Sequence, residues 1–419
     1  MAINFQGTDT EGSINLNEAP AISFEITGNV TLTVAPSKDD NSLNWATTSY
    51  VQECKTDYDM SNVQWTKGNN SNWLGNSITK ILQKINKIVG QDSIDVQSTA
   101  AGTYAGAYAF HGAVLLPDGR VFIVPHFSTT ARIYNPTTDT LTTPTGTYPG
   151  SGAFAGGVLL PDGRVFCVPY NSTTVRIYDP IDDTLITPSG TYPATGLLDG
   201  ILMADGRIFC MATSNSTARI YDPTNDIVTI PSGIYPIIGT NAFVGVVLLQ
   251  DGRVFCVPRD STTARIYDPI ADTLTIPTGI YDGNGAFSRG VLMSDGRVFC
   301  VPYNSTTARI YDPIADTLTI PGGEYPGNGA FNGGTLMPDG RVFCIPGNAT
   351  SAIIYNPIID SITNVGTFPG NVGHATGRLL PDGRVFCSPW NATKAVLIGQ
   401  RQTSNYPMSV LLSPFLNKS

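Results

Sequence analysis

The tripeptide Asp-Gly-Arg recurs seven times at nearly constant spacing, and this repeat constrains the fold more than any other feature. Its arginines are separated by 44, 43, 46, 44, 44 and 43 residues, and ARIYDPIADTLTIP occurs identically at 264–277 and 308–321. A period in the forties, with several strand-like runs and no helical pattern in each unit, is typical of four-stranded propeller blades. We therefore predict a mainly β chain with a seven-bladed β-propeller of four-stranded blades over residues 92–400. The repeated arginines are Arg120, Arg164, Arg207, Arg253, Arg297, Arg341 and Arg384.

The seventh repeat lacks the segment that forms the fourth strand in the others. Its sequence ends with RVFCSPWNATKAVLIGQ, whereas AGTYAG at 101–106 aligns without gaps with TGTYPG at 145–150. A propeller that does not close leaves two sheet edges exposed. We therefore expect the chain near Ile94 to Thr99 to supply the outer strand of blade seven, in a register that the sequence leaves open.

The units resemble the kelch repeats of galactose-oxidase-like propellers, with VLLPDGRVF at 158–166 and ARIYDP at 264–269 as matching segments. The resemblance covers about 300 residues and implies the propeller architecture. It also implies a remote alternative function, because the oxidase relatives bind copper through tyrosine and histidine. A lyase-type propeller enzyme belongs to the same remote class.

The three histidines give little support for catalysis. His111, His126 and His374 show neither HxH nor HExxH spacing. We expect them in different blades, with His111 and His374 in loops that precede a first strand. Near-identical blades also argue against an active site, which requires one blade to differ chemically. The sequence therefore predicts no enzyme, no cofactor and no metal site.

The Asp-rich turns and the repeated cysteines are expected to be structural. DPIADT at 268–273 and at 312–317 has too few oxygens at fixed spacing for an EF-hand loop. We expect the aspartates to cap turns and to pair with the repeated arginines. Six of the seven cysteines occupy one strand position per unit, which favours buried, reduced thiols.

One variable position marks a candidate binding face. The residue after the proline of the second strand changes between blades while its neighbours are kept. Aromatic and polar residues on loops are common in adhesive surfaces. The competing interpretation is an exposed position that is free to vary. The candidate receptor or glycan contacts are Tyr170, Tyr303, Trp390, Arg259 and His126.

Composition excludes some partners. The net charge of −9 comes without a Lys/Arg block, so a nucleic-acid surface has little support. No apolar run approaches the roughly 18 residues of a membrane span, and the N-terminus lacks the pattern of a signal peptide. We expect no nucleic-acid binding, no membrane insertion and synthesis in a host cytoplasm.

The first ninety residues lack the repeat. Residues 1–70 are rich in Asn, Thr and Ser and include the strand-like AISFEITGNVTLTVAP, which predicts a small β-rich attachment domain. The segment NSLNWATTSYVQE at 41–53 resembles the Thr-Thr-Xaa-Tyr-Val motif near the N-termini of bacteriophage tail-fibre and related virion proteins.

An amphipathic helix is predicted at 71–91, between this domain and the propeller, and residues 401–419 form a tail. Isoleucines at 3-4-3 spacing favour trimers or higher oligomers when they fill both core positions of a coiled coil. The alternative is a helix docked on the propeller or on the N-terminal domain, because two heptads are marginal alone. The candidate oligomerisation residues are Ile78, Ile81, Ile85 and Ile88.

These features favour a structural or adhesive virion protein, such as a tail or head fibre, a spike or a decoration protein for host attachment. Its N-terminal domain would bind other virion proteins, and its propeller would bind a protein, receptor or glycan, in a chain that forms a homotrimer. The alternative is a kelch-like interaction scaffold outside a virion, and a copper-dependent propeller oxidase is the remote third hypothesis.

Overall fold

A computed structural model describes residues 97–399, apart from 107, 194–195, 214–216, 237–240, 369 and 371–372, together with two strands nearer the N-terminus. The chain divides into two compact units, Met1–Asp92 and Ser93–Ser419. In the first unit, β1 (Gly28–Leu32) and β2 (Thr48–Cys54) pair antiparallel. The predicted helix at 71–91, its isoleucines and the tail at 401–419 lie outside the described residues.

The second unit contains seven four-stranded antiparallel sheets, as the repeat predicts. Blades one to three contain β4 Phe110–Leu115, β5 Val121–Pro125, β6 Arg132–Asn135 and β7 Thr140–Thr142; β8 Phe154–Leu159, β9 Val165–Pro169, β10 Arg176–Asp179 and β11 Thr184–Ile186; β12 Leu197–Leu202, β13 Ile208–Ala212, β14 Arg219–Asp222 and β15 Ile227–Thr229. Blades four to six contain β16 Phe243–Leu248, β17 Val254–Pro258, β18 Arg265–Asp268 and β19 Thr273–Thr275; β20 Phe287–Leu292, β21 Val298–Pro302, β22 Arg309–Asp312 and β23 Thr317–Thr319; β24 Phe331–Leu336, β25 Val342–Pro346, β26 Ala352–Asn356 and β27 Ser361–Val365.

Blade seven closes the ring with a strand from before the first repeat. Its first three strands are β28 (His374–Leu379), β29 (Val385–Pro389) and β30 (Val396–Ile398), and its outer strand is β3 (Gln97–Thr99). β3 pairs antiparallel with β30 from Gln97 opposite Ile398 to Thr99 opposite Val396. The predicted strand exchange is thus confirmed, and its register is now defined. The described residues contain no helix that is long and apolar enough to cross a membrane.

The core lies between the blades because the second strands have both faces covered. All five residues of VFCVP at 254–258 are buried, as expected for a strand packed between two neighbouring sheets. A phenylalanine of this strand stacks on the third-strand tyrosine of the next blade, as Phe255 does on Tyr311 with ring centroids 5.0 Å apart. The six repeated cysteines are buried and unpaired, which agrees with the expectation of reduced thiols.

A recurring hydrogen-bond arrangement fastens blades one to six to the preceding loop. In blade four, Asp272 adopts φ 48°, a conformation that Asp tolerates better than most residues. Its carboxylate accepts the Tyr267 hydroxyl at 2.9 Å and both the backbone N–H and the hydroxyl of Ser232, at 2.9 and 2.7 Å. In blade seven the equivalent residue, Asp95, lies outside the described residues, and Gln97 Oε1 accepts the Thr367 N–H at 2.8 Å.

The aspartates therefore do cap turns, and Asp268 accepts the N–H groups of Ile270 and Ala271 in the same way. The expected pairing between the repeated arginines and these aspartates is wrong. Arg253 pairs with Asp251 of its own Asp-Gly-Arg turn at 2.7 Å, because the two side chains are only two residues apart.

The first strands β4, β8, β12, β16, β20, β24 and β28 form the innermost ring, since each packs against the first strands of the two neighbouring blades. They surround the central channel of the propeller. In six blades the first strand begins opposite the proline that ends the second strand, as His374 does opposite Pro389, and in blade three it begins opposite Ala212. The residue after that position therefore lies at the mouth of the channel.

Candidate functional site

The mouth of the channel carries an aromatic and histidine cluster contributed by blades seven, one and two. We call Tyr108, His111, His126, Tyr170 and Trp390 the mouth cluster. The Trp390 ring centroid lies 4.5 Å from that of His111, 5.2 Å from His126 and 5.1 Å from Tyr108. Tyr170 lies 5.9 Å from His126. The two contacts of Trp390 with Tyr108 and His111 are edge to face and the other two are tilted, and flat rings packed in this way form a semi-rigid platform.

Three of the sequence-predicted contacts, His126, Tyr170 and Trp390, are therefore brought together. The other two form a separate pair, in which the Arg259 guanidinium lies 4.4 Å from the centre of the Tyr303 ring. This is a cation–π geometry. At the remaining equivalent positions, Thr213 is buried and bonds to Asn241, and Gly347 has no side chain. Blades seven, one and two thus contribute the mouth cluster, and blades four and five contribute the Arg259–Tyr303 pair. Blades three and six, which separate these two groups, contribute little side-chain surface.

The histidines do not lie where the sequence placed them. His111 and His126 belong to the same blade, and His111 and His374 lie within first strands rather than in the loops before them. The error arose because the first strand begins earlier than the apolar run suggests. Only His111 and His126 approach each other, with ring centroids 5.6 Å apart.

Both imidazoles of the mouth cluster are oriented by backbone oxygens. His111 Nδ1 donates to the carbonyl of Ala155, and His126 Nδ1 donates to that of Phe154 at 2.5 Å. These bonds define the tautomer and leave Nε2 of each ring as an acceptor. Burial lowers the pKa of His126, and burial together with the charge of Arg289 holds the pKa of His111 well below its ordinary value. Both rings are therefore neutral near pH 7.

His374 has a structural position. It occupies the place of a phenylalanine in five other blades and packs edge to face on Phe368, with ring centroids 5.6 Å apart. The side chain is 1% exposed, and neither ring nitrogen has a hydrogen-bond partner among the described residues. Burial lowers its pKa to about 4. This histidine is not part of the mouth cluster.

Deeper in the channel lies a group of charges that the sequence analysis missed. The third residue of the first strand is glycine in four blades, but it is Asp199 in blade three and Arg289 in blade five. Arg289 Nη1 donates to Asp199 Oδ2 at 2.7 Å, across the intervening blade. Gly333, at the same position in blade six, gives the arginine room, since a Cβ there would lie 3.1 Å from Arg289 Cδ.

Arg378 is the third member of this group. It replaces a residue that is valine in four other blades, and its guanidinium donates to the carbonyl of Gly377 at 3.3 Å. Burial and then the charge of Arg289 lower its pKa to about 10, and Asp199 opposes that shift. Since both residues lie two or more blades away, these influences act across the channel. We call Asp199, Arg289 and Arg378 the channel triad.

A copper centre of the tyrosine-and-histidine kind is not assembled at this site. The ring that contacts both imidazoles of the mouth cluster is Trp390, which is not a metal ligand, at 4.5 Å from His111 and 5.2 Å from His126. Tyr170 contacts His126, and Tyr108 contacts Trp390. Among the described residues, no group of three or more His, Cys, Asp or Glu side chains could hold a metal ion. We derive no step through copper.

Comparisons with known proteins support the fold. No protein-family model matches the chain, and no curated protein sequence matches it. A streptogramin B lyase structure matches with a TM-score of 0.60 and 9% identity over 73% of this chain and 98% of that one. A catalytically inactive histidine-to-alanine variant of virginiamycin B lyase from Staphylococcus aureus, with quinupristin, matches with a TM-score of 0.59 and 11% identity, covering 74% and 98%.

A fungal alcohol oxidase in complex with copper also matches, with a TM-score of 0.57 and 13% identity over 73% of this chain and 76% of that one. The likeness to an oxidase propeller therefore holds for the fold; nothing in the comparisons supports kelch repeats by name or a tail-fibre N-terminus. At these identities a likeness shows the fold alone.

The prediction that the chain is not an enzyme is contradicted by these comparisons, because the similar propellers include a lyase and an oxidase. Its physical ground was also wrong. The blades are nearly uniform in their outer strands, whereas His111, Asp199, Arg289 and Arg378 make the channel wall different from blade to blade.

Proposed function

We propose that the propeller is a binding head whose ligand, a receptor or glycan, docks at the mouth of the central channel. The observation that carries this proposal is the convergence of the mouth cluster, with Trp390 within 5.2 Å of both histidine rings, opposite the Arg259–Tyr303 pair. Aromatic faces and an arginine offer apolar area and hydrogen-bond donors at low entropic cost. Sugars, which have both apolar C–H faces and hydroxyls, suit such a surface.

The sequence supports a virion setting for this head. The Thr-Thr-Ser-Tyr-Val segment at 47–51 and the heptad isoleucines at 78–88 favour an anchored, trimeric fibre or spike. In that arrangement, the N-terminal unit binds other virion proteins and the propeller faces the host.

Binding is tested with an array of glycans probed with the intact chain, followed by titration of the strongest ligand. We expect Trp390→Ala and Tyr303→Ala to weaken binding about tenfold or more each, as for truncated aromatic anchors. Ile270→Ala is the matched control, because Ile270 is 93% exposed in the turn between β18 and β19, at the opposite end of β18 from Arg259. An array without binding, or binding unchanged in both variants, would contradict the proposal.

The virion setting has a separate test. Light scattering of the whole chain should give the mass of a trimer, and imaging of assembled particles should place the chain on their surface. A monomer at micromolar concentration would count against the fibre.

A second candidate function is proton-transfer catalysis at the same mouth. The observation that favours it is the pair of neutral imidazoles, each held through Nδ1 with Nε2 left to accept a proton. A neutral histidine beside a bound ligand is the usual general base. One of the similar lyases is catalytically inactive when a histidine is replaced by alanine, which supports a catalytic role for a histidine of the mouth cluster.

This candidate is tested by incubating the wild-type chain and a His111→Gln variant with each bound glycan and weighing the products by mass spectrometry. We expect a new product with the wild type and a large loss of its rate with the variant. Glycans that stay intact with the wild type would exclude this function and leave the binding head in place.

A further inference from the structure

The channel triad carries an unbalanced positive charge. Asp199 neutralises Arg289 through a 2.7 Å ion pair, in which the two side chains are 15% and 18% exposed. Arg378 has no carboxylate partner among the described residues, and its guanidinium donates a hydrogen bond to the carbonyl of Gly377. His111, which also faces Arg289, is neutral near pH 7. The channel wall therefore carries one net positive charge, contributed by Arg378.

An unpaired cation inside a protein is unfavourable because it loses water without gaining a counter-charge. The seven-fold repeat offers an obvious way to avoid it, since valine occupies the Arg378 position in Val114, Val158, Val247 and Val291. The chain thus carries arginine where its own repeat supplies a compatible apolar residue.

From this arrangement we propose that the channel triad binds the carboxylate group of the ligand whose remainder occupies the mouth cluster. Arginine binds a carboxylate through two parallel N–H donors, which fits a planar group entering along the channel. The charges favour a carboxylate over a phosphate. One negative charge balances the triad, whereas a phosphate dianion would leave an excess negative charge beside Asp199.

This inference rests on the proposed binding function, because it describes where the acidic group of the same ligand lies. With a sugar as the ligand, it specifies an acidic sugar, one that carries a carboxylate in place of a hydroxymethyl group. The inference can fail alone, since the mouth cluster could bind a neutral sugar without any contribution from Arg378.

The test is a calorimetric titration of the full chain at constant ionic strength with glucuronate, glucose and glucose 6-phosphate. We expect glucuronate to bind the wild type about tenfold or more tightly than either of the others, as for an added charge-assisted hydrogen bond. Equal affinity for glucuronate and glucose, or tighter binding of the phosphate, would overturn the inference, as would no binding of glucuronate.

The decisive variant is Arg378→Val, which places the residue of four other blades in the channel. We expect it to bind glucuronate and glucose equally, while its melting temperature is unchanged or higher. Arg176→Val is the matched control, because it removes one arginine from β10, whose guanidinium bonds within its own blade to Thr174 and Val175. Should Arg378→Val keep the preference for glucuronate, or should Arg176→Val lose it, the assignment to the channel triad is wrong. Loss of all sugar binding in Trp390→Ala but not in Arg378→Val would support the proposed function separately.

Discussion

The innermost ring and the outer three strands of the propeller follow different rules. In the outer strands, the same tyrosine, aspartate and turn residues recur, and their hydrogen bonds recur with them, as between Tyr267 and Asp272 and between Tyr311 and Asp316. In the first strands, single blades carry Asp199, Arg289, Arg378 or His374 where others carry glycine, valine or phenylalanine. The repetition therefore belongs to the parts that hold blades together, and departures from it are concentrated at the channel.

The largest expected effect comes from replacing one of these blade-specific residues by the residue that most other blades carry. His374→Phe restores the aromatic residue of five other blades and should stabilise the propeller, most strongly in mild acid. The folded-state pKa of about 4 lies below the ordinary 6.5, so the unfolded chain takes up the proton first and stability falls as the pH drops from about 6.5 to 4. The loss from this group is on the order of 3 kcal/mol, since each pKa unit corresponds to about 1.4 kcal/mol.

Urea unfolding of both proteins at pH 7.5 and pH 4.5 measures this difference. Because the pKa values of His111 and His126 are lowered too, the variant should keep part of the pH dependence. A variant less stable than the wild type at both pH values would contradict the comparison, because His374 would then stabilise the fold.

The next effect concerns the recurring part. Asp272→Ala removes the acceptor of three hydrogen bonds and places alanine at φ 48°, so we expect a loss of about 2 kcal/mol in unfolding free energy. Asp316→Ala in the next blade should cost nearly the same, while Gln97→Ala in blade seven should cost less, because the Gln97 side chain accepts one hydrogen bond, from Thr367.

Denaturant titration of the three variants provides the ranking. Hydroxyl donors and then backbone donors lower the pKa of Asp272 and of Asp316, so the contribution of these carboxylates is present above about pH 4 and is lost as the pH falls below it. Costs that differ widely between Asp272→Ala and Asp316→Ala would show that the blades are not energetically equivalent.

The smallest effect sharpens the comparison within the recurring part. The Tyr281 hydroxyl is buried with no hydrogen-bond partner among the described residues, and it lies beside the Cys300 thiol, which is at best a weak acceptor. Tyr281→Phe should therefore change the unfolding free energy by less than about 0.5 kcal/mol, whereas Tyr267→Phe loses its bond to Asp272 and should cost about 1 kcal/mol. Thermal unfolding compares the two; an equal and large cost would mean that the thiol is a real hydrogen-bond partner.

The sequence predicts the architecture well because the repeat encodes it locally. The Asp-Gly turns define the blades, and the missing fourth strand of the last repeat points to Gln97–Thr99. It also finds His126, Tyr170 and Trp390, because they vary at one position among invariant neighbours. The association of these three with His111 is not visible, since it depends on where the first strand begins.

The channel triad is harder to predict for a physical reason. Arg289 and Asp199 are 90 residues apart, and each is one unusual residue in an otherwise ordinary strand. Their contact exists because seven strands close into a ring, so it cannot be inferred from any single unit. In an alignment of the seven first strands, Asp199, Arg289 and Arg378 are among the residues that differ from the common pattern. The repeat itself gives no sign of them.

The pairing of Gln97 with Ile398 has a mechanical consequence. The polypeptide enters the propeller in β3 and leaves it in β30, and these two strands are paired with each other. The roughly 300 residues between them therefore form one closed loop. A load applied through the preceding segment acts on β3, a three-residue strand at the outer edge of its sheet. Force would peel this strand away one hydrogen bond at a time, which makes blade seven the weakest link of a head under tension.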